Sequence, residues 1–229
     1  MDKTFAVISS IPLFSGLSPG QIEAITAIAT EKRLARNQTV FTEGDPARGF
    51  FIVAEGKVKI FKLSIDGKEQ ILHIYGPGQP FGEVPMFAGG KFPANAQTLV
   101  ASRLIFLPRR DFARLLAVHP SLAMNMLAVL SRRLREFTVQ IENLSLKEVP
   151  GRLAAYLLYL CSEQDASDKV RLPISKGQLA SLLGTIPETL SRIFSKMTDQ
   201  GMINVRGRWI TIANRQAMEE LALEGRLIV

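Results

Sequence analysis

Residues 184–197 read GTIPETLSRIFSKM, and this segment carries two distinct faces at helical spacing. Polar side chains recur at i, i+3, i+4 and i+7 on one face, and apolar side chains recur at the same intervals on the opposite face. Pro187 suits the first turn of a helix because its missing N–H would have no partner there. The pattern therefore predicts a helix that begins at Pro187 and buries one face only. The polar set is Glu188, Ser191, Arg192 and Ser195, and the apolar set is Leu190, Ile193, Phe194 and Met197.

The segments on either side of this helix complete a supersecondary pattern. Another helix is predicted from Ser175, a candidate N-cap, to Leu183, and Gly184 supplies the turn between the two helices. The sequence MINVRGRWITI follows and predicts a small hairpin. This order is typical of a winged helix-turn-helix, whose second helix enters the major groove of DNA. Periodicity alone leaves open a helical hairpin whose polar face is only solvated.

The distribution of charge favours the DNA-binding alternative. The 229-residue chain carries a formal charge of +7, which suits a polyanionic partner. Between Arg171 and Arg208, six basic residues stand against two acidic ones. The basic excess is therefore concentrated around the predicted recognition helix.

The composition restricts the class of protein. A hydrophobic content of 47% is that of a folded chain, and no run of 18 apolar residues is present. The N-terminus lacks the layout of a secretory signal, so a cytoplasmic protein without membrane segments is expected. The sequence has one cysteine, Cys161, and two histidines, His73 and His119, which are too few for an internal disulfide, an iron–sulfur cluster or a zinc site. No metal site is expected, and no enzymatic activity is expected either, since the sequence lacks a glycine-rich phosphate loop.

In the N-terminal half, the hydrophobic pattern changes from helical to strand-like. Isoleucines at intervals of three predict a helix over residues 18–33, with Ser18 as a candidate N-cap. Short apolar runs separated by glycines then predict a compact antiparallel β domain over residues 36–108. Asp66-Gly67 predicts a two-residue hairpin turn within this domain.

A heptad pattern follows His119. Apolar residues recur at alternating intervals of four and three, which predicts the seam of a two-chain coiled coil. An ordinary amphipathic helix packed on its own domain is the alternative. Arg132, Arg133 and Arg135 lie off the seam and are expected in solvent, and residues 149–151 are predicted to form a hinge. The seam comprises Ala123, Leu127, Leu130, Leu134, Phe137, Ile141 and Leu144.

The predicted fold class is α+β, with three parts in chain order. Residues 1–119 are expected to form an antiparallel β-roll that senses an effector. Residues 120–148 are expected to form the dimerisation helix, and residues 149–229 the winged helix-turn-helix domain that binds DNA.

Three segments in this order resemble the CRP/FNR family of bacterial transcription regulators. Residues 43–83 resemble the family's β-roll, residues 131–158 its dimer helix and hinge, and residues 174–203 its helix-turn-helix. The resemblance implies a cupin-like β-roll of the cyclic-nucleotide-binding type that binds a small-molecule or gas effector. It also implies a homodimer that reads a palindromic operator in double-stranded DNA and contacts RNA polymerase.

The recognition helix resembles one branch of this family more than another. The pattern Glu188-x-x-Ser191-Arg192 resembles the FNR-type reader of TTGAT-like half sites, which implies that these three residues contact bases. Arg192 can donate two hydrogen bonds to guanine, and Glu188 can accept one from an exocyclic amine. Contacts to the DNA backbone are expected from Thr189, Ser195, Lys196, Arg206 and Arg208.

The effector region departs from the family's cyclic-nucleotide binders. Those proteins keep Gly-Glu for the ribose, and an Arg followed by Ser or Thr for the cyclic phosphate. Gly82-Glu83 is present, but Pro93 and Ala94 stand at the Arg and Ser/Thr positions. Phe137 replaces one of two hydroxyl residues that contact adenine. Cyclic AMP is therefore not expected, since a buried phosphate would lack its charged partner.

The chain resembles instead the cysteine-poor branch that answers nitrosative stress, which includes the dissimilatory nitrate respiration regulators and the hybrid-cluster-protein regulators. That branch is associated with heme, so a heme that senses nitric oxide is one effector the resemblance implies. His73 is a candidate iron ligand, although a strand histidine with a satisfied ring is the alternative. A different function remains open, that of a regulatory subunit whose β-roll and coiled coil control a protein partner. The expected effector pocket comprises His73, Gly82, Glu83 and Phe137.

Overall fold

The computed structural model describes residues 3–225. The chain forms two compact units that divide between Leu134 and Arg135, within a long helix, α5 (Pro120–Leu146). The predicted α+β fold, with a β-roll, a long helix and a C-terminal helix-turn-helix, is confirmed. The predicted domain boundaries at residues 119 and 148 stay predictions.

The first unit is built from strands framed by helices. Its helices, besides the start of α5, are α1 (Lys3–Ser9), a 3-10 helix (Pro12–Phe14), α2 (Pro19–Ile28), α3 (Val84–Ala88) and α4 (Arg109–Val118). Its strands are β1 (Thr30–Leu34), β2 (Thr39–Phe41), β3 (Gly49–Glu55), β4 (Val58–Leu63), β5 (Glu69–Tyr75), β6 (Pro80–Phe81), β7 (Asn95–Thr98) and β8 (Ser102–Pro108).

Two antiparallel four-stranded sheets form the β-roll, in the orders β1-β8-β3-β6 and β2-β7-β4-β5. Strand β3 shows why the sheet is buried on both faces, because successive side chains point to opposite sides. Phe51 and Val53 join a cluster shared by both sheets, while Phe50 and Ile52 join a second cluster with the helices. Aromatic residues of the first cluster lie beside His73 and Gly82, two of the predicted effector residues.

The predicted helix over residues 18–33 is too long. Its N-cap is confirmed, since Ser18 and Gln21 form a capping box, but α2 ends at Ile28. Residues 30–34 instead form β1, which pairs with β8 from Thr30 to Leu34. Residues of high helix propensity lie in this strand, and the long-range pairing overrides that local preference.

The hairpin between β4 and β5 is longer than predicted. The last ladder pair is Leu63 with Glu69, so residues 64–68 form a five-residue loop rather than a two-residue turn. Within it the Gly67 N–H donates to the Ser64 carbonyl at 3.0 Å. Gly67 adopts φ +80°, a left-handed conformation that glycine accepts without strain.

The second unit holds the rest of α5 and a helix-and-hairpin domain. The further elements are α6 (Val149–Glu163), β9 (Lys169–Arg171), α7 (Lys176–Leu182), α8 (Pro187–Asp199), β10 (Ile203–Arg206), β11 (Trp209–Ile212) and α9 (Arg215–Glu224). The three strands pair antiparallel in the order β10-β11-β9.

The predicted hinge at residues 149–151 is wrong, because these residues form the first turn of α6. Pro150 is compatible with a first turn, and the helical break lies at Lys147 and Glu148.

Among residues 3–225, no single helix has both the length and the apolar character needed to cross a membrane, and only α4 and α5 taken together, bent by 115°, pass that test.

Candidate nucleic-acid interface and effector region

The start of the helix-turn-helix is fixed by local hydrogen bonds. The Gln178 N–H donates to the Ser175 hydroxyl at 3.2 Å, and the Ser175 N–H donates to the Gln178 side chain at 2.9 Å. This capping box satisfies two donors at the beginning of α7. Gly184 then adopts φ +69°, which lets the chain turn after α7 and enter α8.

Helix α8 begins at Pro187, as the sequence predicts, and separates its two faces. Leu190, Phe194 and Met197 are buried, and Ile193 is half-buried. The opposite face exposes a polar set, while Thr189 is half-buried at its edge. The exposed set is Glu188, Ser191, Arg192, Ser195 and Lys196.

The side chain of Arg192 is oriented by its neighbour on the previous turn. Its Nη2 donates to the Thr189 hydroxyl at 3.3 Å. This contact leaves the other N–H donors of the exposed guanidinium available to a ligand. Thr189 can thus position Arg192, in addition to the backbone contact predicted for it.

The hairpin of β10 and β11 presents a basic tip. Arg206 and Arg208 are exposed on either side of Gly207, which adopts φ +63°. Trp209 follows and is 45% exposed. Trp209 is not among the predicted DNA contacts, although the alternation of WITI, which places it on the face opposite Ile210, is a signal that could have found it.

The predicted effector residues Gly82 and Glu83 lie where the β-roll is tightly packed. Gly82 adopts φ +74°, and an added Cβ would lie 3.1 Å from the Phe41 ring and 3.2 Å from the Phe92 ring. These two rings stack on each other with centroids 3.7 Å apart. Glycine is therefore required here both by backbone conformation and by the space available.

Arg133 lies beside Glu83, so the prediction that its side chain lies in solvent is wrong. Its guanidinium forms an ion pair with the buried Glu83 carboxylate and donates to the Pro80 carbonyl. It also lies 4.8 Å from the centroid of the Tyr75 ring, a cation–π contact. A buried carboxylate needs such a partner, and this need outweighs the solvation of an arginine off the heptad seam. The pair links α5 to the loop that follows β6.

His73 lies on β5 beside the same group. Its ring centroid is 4.5 Å from that of Tyr75. Burial, aided by the positive charge of Arg133, lowers the pKa of His73 from its ordinary 6.5 to about 4. The imidazole is therefore neutral at pH 7.

The pKa of His73 predicts a loss of stability in acid. Between pH 6.5 and 4 the unfolded chain binds the proton more tightly than the folded chain, so lowering the pH favours unfolding. The contribution of His73 to the unfolding free energy should fall by about 3 kcal/mol across this window. Urea titrations at a series of pH values measure it. A His73→Leu variant should lose this component, whereas a His119→Gln variant should retain it; parallel profiles for His73→Leu and the unaltered protein would contradict the assignment.

The remaining predicted effector residue, Phe137, belongs to the second unit, and its place in the pocket stays a prediction. A cleft of about 620 Å³ lies instead at the N-terminal segment of the first unit, between Ser9 and Ile22 and beside Arg132. None of the four predicted effector residues lines it. Across residues 3–225, no group of three or more His, Cys, Asp or Glu side chains is placed to hold a metal ion.

Most of the large apolar residues of the predicted seam of α5 are exposed to solvent in the single chain. Leu130 and Leu144 are half-buried, and Leu130 packs against the helical core cluster. Exposing several large apolar side chains along one helix is costly unless another surface covers them. The exposed members are Leu127, Leu134, Phe137 and Ile141.

Comparisons with known protein families match both halves of the chain. Residues 31–119 match the cyclic nucleotide-binding domain, and residues 151–221 match the Crp-like helix-turn-helix domain. The chain is 30% identical over 211 residues to the cyclic AMP receptor protein of Thermus thermophilus, covering 92% of this chain and 96% of that protein.

Solved structures show the same likeness. FixK2 from Bradyrhizobium japonicum is 25% identical, with a TM-score of 0.75 over 88% of this chain and 100% of its own. DNR from Pseudomonas aeruginosa is 35% identical, with a TM-score of 0.50 over 93% of this chain and 95% of its own.

Proposed function

Because the chain belongs to the CRP/FNR family of transcription regulators, we propose that it reads a two-fold symmetric operator with TTGAT-like half sites. Regulators of this family bind DNA as dimers and contact RNA polymerase. The observation that carries the finer proposal is the exposed face of α8. This face presents a carboxylate, a hydroxyl and a guanidinium from Glu188, Ser191 and Arg192.

These three groups match the edges of bases in the major groove. Arg192 donates to O6 and N7 of a guanine, Glu188 accepts from an exocyclic amine, and Ser191 contacts a neighbouring base. A second set of residues is proposed to contact the DNA backbone. These contacts add affinity but no sequence specificity. That set is Thr189, Ser195, Lys196, Arg206 and Arg208.

A mobility-shift titration tests this proposal. The protein should bind a duplex carrying TTGAT-N4-ATCAA at least about a thousandfold more tightly than a scrambled duplex of the same composition. Equal affinities for the two duplexes would remove the proposed half-site reading. They would favour the alternative of a regulatory subunit that controls a protein partner.

We propose that the effector acts through the Glu83–Arg133 pair, because this pair joins the β-roll to α5. An effector that changes the surroundings of this pair changes how α5 is held, and binding must differ between two states to shift their populations. A cyclic nucleotide is not the proposed effector, although the relative from Thermus thermophilus is named for cyclic AMP. Pro93 and the buried Ala94 offer no charged partner to a cyclic phosphate.

Heme does not fit the described packing beside Gly82. Even a methyl group at this position would lie 3.1 Å from the Phe41 ring and 3.2 Å from the Phe92 ring, so both rings would have to shift to admit it. His73 supplies a neutral nitrogen, but its ring packs on Tyr75 within the same aromatic group. We therefore assign no heme to this site.

The nitrosative-stress branch remains our proposal for the class of effector. The 35% identity with DNR over 93% of the chain supports it. The operator titration repeated with a nitric oxide donor tests it directly. A change of affinity would support this branch, and identical binding curves with the donor and with spent donor would contradict it.

A further inference from the structure

The cleft at the N-terminal segment of the first unit lies between two parts of the chain. One side is the segment that runs from the end of α1 into the first turn of α2, and the other side is contributed by α5 through Arg132. Its volume of about 620 Å³ is in the range of pockets that hold small organic molecules. We call it the N-terminal cleft.

Helix α5 is anchored to this segment about two turns before Arg132. The side-chain amide of Asn125 donates to the Ser15 carbonyl at 2.8 Å. Residues seven positions apart lie on the same face of a helix, so Arg132 extends from the face of α5 that Asn125 fixes against the segment. Leu130 and Leu134 are seam positions of the heptad pattern, and the position midway between them lies on the opposite side of the helix. Pairing of α5 along the predicted seam therefore leaves Arg132 uncovered.

The N-terminal cleft has an apolar floor and a polar rim. Ile11, Phe14 and Ile22 line it and belong to the buried helical core cluster. Ser9 and Ser10 line it from exposed positions, and their hydroxyls donate to backbone carbonyls of the preceding turn at 3.0 and 2.8 Å. A hydroxyl has one proton, so these two oxygens offer a ligand only their lone pairs. The rim therefore suits a ligand that donates a hydrogen bond.

Arg132 brings a positive charge to the N-terminal cleft that the described chain does not balance. Within residues 3–225, Arg132 forms no ion pair with Asp or Glu. Among the described residues that line the cleft, none is acidic. The adjacent Arg133 pairs with Glu83 instead. A guanidinium presents a planar fork of N–H donors that matches the two oxygens of a carboxylate.

We propose that the N-terminal cleft binds a small hydroxy acid. Its carboxylate pairs with Arg132, its hydrocarbon body packs on the apolar floor, and its hydroxyl donates to Ser9 or Ser10. A simple inorganic anion would leave the floor uncovered, and a neutral lipid would leave Arg132 without a counter-ion. The site is separate from the Glu83–Arg133 pair, so this inference goes beyond the proposed function and does not depend on which operator the protein reads.

A matched series of probes tests the chemistry of the site. 8-Hydroxyoctanoate carries all three groups, octanoate lacks the hydroxyl, and 1,8-octanediol lacks the carboxylate. In isothermal titration calorimetry, 8-hydroxyoctanoate should bind one site for each chain. The affinity should be about threefold weaker for octanoate, which loses a neutral hydrogen bond, and at least about tenfold weaker for 1,8-octanediol, which loses a charged one. Equal affinities for the three probes, or no saturable binding of 8-hydroxyoctanoate up to about 10 mM, would overturn the proposal.

A pair of charge variants tests the role of Arg132. Arg132→Gln should weaken 8-hydroxyoctanoate at least about tenfold and leave the affinity for 1,8-octanediol unchanged. Arg110→Gln removes an exposed positive charge from α4 at a position that does not line the cleft, and it should leave both affinities unchanged. An equal loss in the two variants would show that only net charge attracts the probe, which would contradict the proposal.

A third variant fills the N-terminal cleft without removing its charge. Ser15 is exposed and has φ −56° and ψ 137°, a conformation that tryptophan also adopts, so Ser15→Trp should fold. It should lose saturable binding of 8-hydroxyoctanoate while its circular dichroism spectrum stays the same. Unaltered affinity in Ser15→Trp would place the probe elsewhere on the chain and reject the cleft. A protein that prefers its operator but does not bind 8-hydroxyoctanoate would also reject the cleft, and it would leave the proposed function intact.

Discussion

A Leu134→Glu substitution is expected to abolish operator binding by dissociating the dimer. Leu134 is 69% exposed in the single chain, so the fold of one chain does not depend on burying it. In a two-chain coiled coil it would face the partner helix, where burying a leucine stabilises by about 1.5 to 3 kcal/mol. The substitution removes this contribution from both chains and places two carboxylates near each other in an apolar seam. A monomer reaches only one half site, so we expect operator affinity to fall at least a hundredfold.

The position of a substitution on the same helix separates the seam from general effects. Val139 is also an exposed apolar residue of α5, at 55%, but it lies off the heptad pattern. Val139→Glu should therefore leave both the mass in solution and operator binding almost unchanged. Light scattering coupled to size exclusion measures the mass, and a mobility shift measures the binding. Equal dissociation by the two variants, or a dimeric Leu134→Glu protein, would show that α5 does not form the predicted seam.

The helix-turn-helix could be predicted from the sequence because its determinants are local. The capping box of Ser175 and Gln178, the turn at Gly184 and the first-turn Pro187 each act within a few residues. The burial of Leu190 follows from helical periodicity alone. Local signals of this kind specify where a helix starts and which face it buries.

The elements that sequence reasoning missed depend on distant partners. Strand β1 exists because residues 30–34 pair with β8, about 70 positions later in the chain. Arg133 is held by Glu83, which lies 50 residues earlier, so a heptad count on α5 alone could place it only off the seam. Arg171 and Trp209 become neighbours only when β9 pairs with β11. Hydrophobic periodicity and composition indicate where helices and strands form. Tertiary pairing between distant segments decides which charged side chains come into contact.

An Arg192→Ala substitution is expected to remove discrimination at the guanine of each half site. A bidentate contact from arginine to guanine contributes about 1 to 3 kcal/mol of discrimination against a wrong base. A dimer carries two such contacts, so the preference for TTGAT over a half site altered at the guanine should fall by about 2 to 6 kcal/mol in total. Arg192→Lys should lose most of this preference too, because an ammonium lacks the planar pair of donors that matches O6 and N7.

A comparison with Lys196 distinguishes base reading from charge. Lys196 lies on the same exposed face of α8 and is assigned to a phosphate. Lys196→Ala should weaken binding to operator and altered duplex by the same factor, and its salt slope should fall by about 0.9 for each protomer. Arg192→Ala should instead make the affinity for the operator nearly equal to the affinity for the altered duplex. If the Arg192→Ala protein kept the unaltered ratio between the two duplexes, the guanine would be read by another residue, and the orientation of α8 in the groove would have to be assigned differently.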